Sequence, residues 1–173
     1  MEPMPLKKGR PKRFDYEYQR CGTCNLFLAF QPHKGKRWVK VMRRRRSEEF
    51  ASFMKWVVDE LFPEAEVIRV VLDNLSTHTP AAFYKSFEPQ EARRLTRKVE
   101  FHYTPKHGSW LNMAEIEFSI LSRQCLSRRI GEIESVREEV EKWVDARNEA
   151  CATVKWRFTT QKAREKFHRL YHQ

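Results

Sequence analysis

The sequence lacks the features that would place it in several common protein classes. It has four cysteines in 173 residues, Cys21, Cys24, Cys125 and Cys151. They are too few and too scattered to staple a chain of this length as a disulfide scaffold. The Cys21 and Cys24 pair has the C-x-x-C spacing, but no second pair or nearby histidines complete a zinc ligand set, and the run after Cys24 reads as a strand, not the helix that follows a redox motif. No apolar run approaches the ~18 residues of a membrane-spanning helix. The N-terminus, Met-Glu-Pro-Met-Pro followed by lysines, has no apolar segment for secretion. The expectation is a soluble, intracellular protein with no membrane partner. No glycine-rich phosphate loop, nucleophile elbow or paired Cys/His pattern occurs, so NTPase, serine hydrolase and zinc-finger readings find no support.

Acidic residues are also in the minority. Lys and Arg number 34 against 23 Asp and Glu, a formal net charge of +11. An excess of that size favours a polyanionic partner such as nucleic acid. Hydrophobic residues at 40% with 12 Phe and 5 Trp supply enough apolar surface for a core, and the length suits one compact domain.

Residues 1–20 read as a basic arm, punctuated by Pro3, Pro5, Gly9 and Pro11 and charged by Lys7, Lys8, Arg10, Lys12 and Arg13. Residues 21–173 carry the periodic pattern of a folded domain. Residues 23–30 and 37–42 predict a β-hairpin around a turn at Pro32 to Gly35. Ser47 as a cap with acidic residues behind it predicts a helix in which Phe50, Phe53, Met54, Val57, Val58 and Leu61 share a face. Residues 67–72, apolar and β-branched, predict a central strand buried on both faces. Thr79-Pro80 opens a short helix to Phe87, and a second helix covers 89–97. A strand at 98–103, a loop at 104–110 and a helix at 112–126 follow. Ser135 and Glu138 form a capping box for a further helix with Val136, Val140, Trp143 and Val144 inward, and a last helix runs over 160–171. Trp143, Trp156 and Phe158 are expected to pack the C-terminal helices on the sheet. Strands alternating with helices give an α/β class.

Asp73 stands at the C-terminal end of the apolar strand, where open α/β sheets display carboxylates to ligands. An Asx-type turn explains the same residue equally well. Asn74 and His78 add polar groups to the same strand-to-helix loop. Glu115 opens the 112–126 helix, where it fits a capping arrangement with Asn112. Met113, Ile116, Ile120 and Leu121 mark the packed stripe of that helix. Glu115 and Glu117 fall on different flanks of the stripe, and spacing does not choose between them.

Taken in order, Gly9-Arg-Pro, Asp15-Tyr-Glu-Tyr, Gly22-Thr-Cys-Asn-Leu-Phe, Leu72-Asp-Asn, the block from His102 to Glu115, Leu121-Ser-Arg-Gln-Cys-Leu126 and Trp156-Arg-Phe-Thr-Thr resemble the DDE transposases. The likeness is to the mariner-like branch that includes bacterial insertion sequence family 630. It spans about Gly9 to Tyr171. It implies a ribonuclease-H-like mixed sheet flanked by helices, and an acidic triad that binds two divalent cations, Mg²⁺ or Mn²⁺, for cleavage at element ends and strand transfer. By position, Asp73 matches the family's second aspartate and Glu115 its final acidic residue, which decides against Glu117. Asn74, His78 and Asn112 become supporting or substrate-side groups. Hard oxygen ligands suit such cations.

In the family, a strand carrying the first catalytic aspartate precedes the segment that here starts at Met1, and DNA-recognising helix-turn-helix domains lie further upstream. The expectation is therefore a partial catalytic domain lacking its first, central strand, the product of a split reading frame or a decayed element. It would need an upstream transposase fragment, a homodimer partner or a rearranged sheet to cover the exposed edges. Asp15 reads as a solvated arm residue. The rival function is a non-catalytic DNA-binding or subunit-interacting remnant. The implied location is the bacterial cytoplasm, on the nucleoid, with transposon ends and target DNA as partners.

For DNA contact the candidates are Arg43, Arg44, Arg45 and Arg46, four successive guanidiniums that resist clustering without an anion. Lys106, His107 and Trp110 in the loop before Glu115 join them, Trp110 serving equally well as a core residue. Arg93, Arg94, Arg97, Lys98, Arg123, Arg128 and Arg129 are expected to add positive charge near the helices flanking the site.

Overall fold

A computed structural model describes residues 22–105, 111–154 and 159–166. Four strands and six α-helices are described. Strands β1 (Asn25–Gln31) and β2 (Lys36–Met42) are followed by helix α1 (Ser47–Trp56), which runs directly into a π-helical turn (Val57–Leu61). Strand β3 (Ile68–Leu72), helices α2 (Ala81–Ser86) and α3 (Pro89–Lys98), and strand β4 (Val99–Tyr103) come next. Helices α4 (Met113–Gln124), α5 (Ile133–Glu149) and α6 (Thr160–Lys166) complete the described chain.

The hairpin forms as its sequence predicts, antiparallel with Asn25 opposite Met42 and Gln31 opposite Lys36. A short 3-10 turn at Pro32–Lys34 closes it, ended by Gly35 in the left-handed region at φ 59°. The side-chain period of two divides the hairpin between two cores. Phe27 packs with Phe50, Phe53, Met54, Val57 and Val58 of the first helical segment and with α2 and α3. Val41, with Leu26 and Val39 beside it, faces Leu121, Val136, Val140 and Trp143 of α4 and α5. The hairpin is thus the layer between two groups of helices.

Strands β3 and β4 pair in parallel, Ile68 opposite Val99 and Leu72 opposite Tyr103, through the α2 and α3 crossover. Among the described residues they form a sheet separate from the hairpin. The expectation that β3 is buried on both faces is overturned. Leu72 is buried, but Val71 is 58% exposed and Val67 51%. Helices α1 to α3 cover one face, while α4 and α5 pack on the hairpin and leave the other face of the parallel pair to Arg69, Val71, Glu100 and His102. A run of β-branched residues records that a strand is apolar, not which neighbours cover it.

Three helix starts differ from expectation. Ser47 lies inside α1: the preceding residue, Arg46, is the cap, and its amide donates to the Glu49 carboxylate at 2.8 Å. Helix α5 starts at Ile133 after Glu132, which puts Ser135 in the first turn and not at a cap. Helix α2 is capped by Pro80 itself, whose φ of −57° already suits the helix, with no side-chain bond from Thr79. Backbone geometry and apolar packing set these starts where a hydroxyl one or two residues away would have offered a cap. Trp143 is buried as expected, its indole N–H donating to Gln124 at 2.9 Å. Trp156, Phe158, the arm at 1–20 with Asp15, and Cys21 lie outside the described residues.

Candidate active site

Asp73 follows directly on Leu72 at the C-terminal end of β3, so the parallel pair aims it out of the sheet's carboxyl edge. Its Oδ1 accepts from the Leu75 amide at 3.4 Å, a weak Asx turn, and lies 2.7 Å from His78 Nδ1. The Asx-type turn is thus formed, and the carboxylate lies at the carboxyl end of the strand. The turn is the local consequence of Asp after a strand, and it brings His78 back onto the carboxylate.

The loop is held from several sides. Asn74 donates its amide to the Thr104 carbonyl at 2.6 Å, and the Thr104 amide donates to Leu72 at 2.9 Å, which extends the β3 and β4 pairing past its last residues. The Tyr103 hydroxyl donates to the His78 carbonyl at 2.8 Å. The His78 ring packs on Phe50 of α1, centroids 4.6 Å apart. His78 is 22% exposed and Asp73 36%, so the pair is supported from below and open above. Among the described residues Asp73 Oδ2 accepts no hydrogen bond, which leaves one oxygen for a ligand.

On α4, the Asn112 side chain accepts from the Ala114 amide at 3.0 Å and caps the helix as its type requires. The second half of the expected capping box is not formed: the Glu115 side chain is exposed and makes no hydrogen bond among the described residues. Glu117 behaves in the opposite way. It is fully buried, 2.8 Å from the equally buried Arg37 of β2 and 3.1 Å from Arg147 of α5. The Arg37 and Glu117 atoms meet at an angle poor for hydrogen bonding, so charge holds the contact. Burial lowers the Arg37 guanidinium below its ordinary value, and the Glu117 charge opposes that shift. Arg37 also donates to the Ala152 carbonyl, and its backbone exchanges hydrogen bonds of 2.8 Å with the Asn148 side chain.

Glu117 therefore lies within the packed face of α4 and not on its flank. Met113, Glu117 and Leu121 are spaced four apart and share a helix face, a signal present in the sequence. The residues that neutralise it, Arg37, Arg147 and Asn148, had no local signal.

The four arginines 43–46 are all exposed between β2 and α1, with the Arg43 carbonyl pinned by Asn25 at 3.3 Å. Lys106, His107 and Trp110 lie outside the described residues. Arg97 and Lys98 do not stand beside Asp73. They end α3 at the opposite end of the parallel strands. Arg128 is engaged by Glu139 at 3.0 Å.

The family model described as DDE superfamily endonuclease matches residues 2–137. The chain belongs to this family. No curated protein and no solved structure matches it. For a DDE endonuclease the substrate is DNA, and such enzymes generally use divalent metals. The described donors fit such metals in kind but not in number. Asp73 and Glu115 offer hard carboxylate oxygens of the sort Mg²⁺ and Mn²⁺ take, yet among the described residues no three His, Cys, Asp or Glu side chains gather as a metal site. The structure brings Asp73, Asn74 and His78 together. It does not add Glu115 to them as a third metal ligand. Among the described residues no helix is long and apolar enough to cross a membrane.

Proposed function

We propose that this chain is the catalytic portion of a mariner-like transposase of the insertion sequence family 630 type, which cuts and joins DNA phosphodiesters on a ribonuclease-H-like sheet. The observation that carries the reading is the contrast between one pair of acidic residues and a third. Asp73 and Glu115, matched by position to the family's site, keep carboxylate oxygens open to solvent, whereas the nearby alternative, Glu117, is consumed by Arg37 and Arg147.

In this reading Asp73 and Glu115 hold Mg²⁺ or Mn²⁺. Cations bound there would supply positive charge to the attacking and leaving oxygens. His78 orients Asp73 through Oδ1 and keeps its other oxygen outward, as partners of metal-binding carboxylates do. Asn74 fixes the loop to Thr104, and Asn112 fixes the start of the helix that carries Glu115. Arg43 to Arg46 hold the DNA backbone, with Lys106, His107 and Trp110 on the strand near the reacting phosphate. A third carboxylate, on a strand that pairs between the hairpin and β3, would complete the set. The separation of the hairpin from the parallel pair supports that place for it. The protein works in the bacterial cytoplasm on the nucleoid.

A second reading, a DNA-binding remnant that pairs with a complete transposase, is favoured by the want of a three-carboxylate cluster among the described residues. Nicking of supercoiled plasmid in Mg²⁺ or Mn²⁺ separates the two. Because no three such ligands gather among the described residues, the chain alone is expected to nick weakly or not at all, and to gain activity with an added strand bearing an aspartate, since a loosely held site loses about a hundredfold or more in rate. D73A and E115A should abolish the gain. If no extension confers nicking while DNA binding is retained, the remnant reading stands.

A further inference from the structure

Helix α3 carries Gln90, Arg93 and Arg97 along one side, with Arg94 and Lys98 next to them and Glu66 opposite, before β3. Together they line an open groove of about 380 Å³. The basic groups divide sharply. Arg94 is already committed, at 2.8 Å to Asp59 and 2.7 Å to Glu91. Lys98 donates one proton to the Pro63 carbonyl at 2.6 Å and has two more to give. Arg93 and Arg97 are exposed, and neither meets a carboxylate among the described residues. One carboxylate, Glu66, faces three uncommitted cations.

The position of the groove follows from the parallel register. Lys98 directly precedes Val99, which pairs with Ile68, the first residue of β3. Asp73 lies beyond the last residue of that strand. At a rise of ~3.3 Å per residue, the two ends are separated by roughly 16 Å. The groove and the candidate active site therefore cannot hold the same phosphate. Arg93 and Arg97 stand one turn apart on a single face, about 5–6 Å between Cβ atoms, so two phosphates along one strand can each meet a guanidinium. An open surface holds a small anion poorly in water, but a polyanion releases counterions for every charge neutralised and gains affinity with each.

We propose that this groove is a second DNA-backbone surface, which binds duplex phosphates at the end of the parallel sheet remote from Asp73 and so holds DNA beyond the reacting bond. It rests on the reading of the chain as an enzyme acting on DNA, but its test needs no cleavage.

The experiment is a fluorescence anisotropy titration of the full chain against a short duplex of arbitrary sequence, without divalent metal, over a series of salt concentrations. R93Q/R97Q should bind more weakly, and the slope of log affinity against log salt should become shallower by roughly 1 to 2, the value for one or two lost phosphate contacts. R93K/R97K should recover most of the slope, because charge is what the surface supplies. K142Q/K162Q removes two exposed charges elsewhere and should leave the slope nearly unchanged; thermal melts of all variants should match the parent. An unchanged slope in R93Q/R97Q, an equal change in K142Q/K162Q, or failure of the parent chain to bind DNA would each overturn the proposal. Failure of every extension to confer nicking, with the expected slopes here, would remove the catalytic reading alone.

Discussion

Arg37 of the hairpin and Glu117 of α4, both without solvent exposure, lie 2.8 Å apart and join the two elements two residues beyond Glu115. Arg147 reaches the same carboxylate from α5 at 3.1 Å. Three elements distant in sequence thus meet at one charge, and the helix bearing Glu115 is held against the hairpin by a fully buried carboxylate.

The first prediction sets these two glutamates against each other. E117A leaves two guanidiniums facing an apolar core without a counter-charge, and breaking a buried pair in this way costs about 3–5 kcal/mol. E115A removes an exposed side chain and should alter stability by about 0.5 kcal/mol or less. Urea unfolding of the two variants checks the difference. Equal losses would mean that Glu115 is also structural.

Gly35 supplies the second. It sits at φ 59°, and a Cβ there would stand 2.5 Å from the Cys151 carbonyl oxygen and 2.7 Å from the carbonyl carbon. Backbone at that distance cannot rotate away, so the hairpin tip must lift from the end of α5. G35A should lose about 2 kcal/mol, from overpacking added to the left-handed backbone. Differential scanning calorimetry should show the melting temperature lowered by several degrees, roughly 2–4 °C per kcal/mol in a chain of this size.

The third concerns acid. Hydrogen bonds from Arg94 and then from Lys55 hold the Glu91 carboxyl at about 2, down from 4.5. A carboxylate depressed in the folded state stabilises the fold above its unfolded value, and that contribution is lost as pH falls from ~4.5 through ~2. The groups are partly exposed, so the network contributes about 1 kcal/mol and is screened by salt. E91Q should lower stability near neutral pH and flatten its decline on the acid side of pH 4.5. Denaturation midpoints measured across that range, at low and high salt, decide the matter.

Much of this protein was legible in its sequence. The hairpin, the apolar face of α1, the β3, α2, α3 and β4 order and the cap at Asn112 are all products of local pattern, because alternation, helical spacing and backbone-seeking side chains act within a few residues. Asp73 was legible for the same reason: a strand that ends in Asp-Asn must display the carboxylate and bend behind it. The role of Glu117 was not legible, since the arginines that neutralise it stand 80 and 30 residues away in the chain. The bare face of β3 was hidden because apolar residues report burial in general and not the position of α4 and α5, which pack on the hairpin instead. The place of Arg97 was decided by the parallel pairing of Ile68 with Val99, which puts the end of α3 at the far end of the sheet from Asp73. Local chemistry determined the elements and their carboxylates; only tertiary packing decided which charges are spent on one another and which remain exposed, because pairing depends on distance through space.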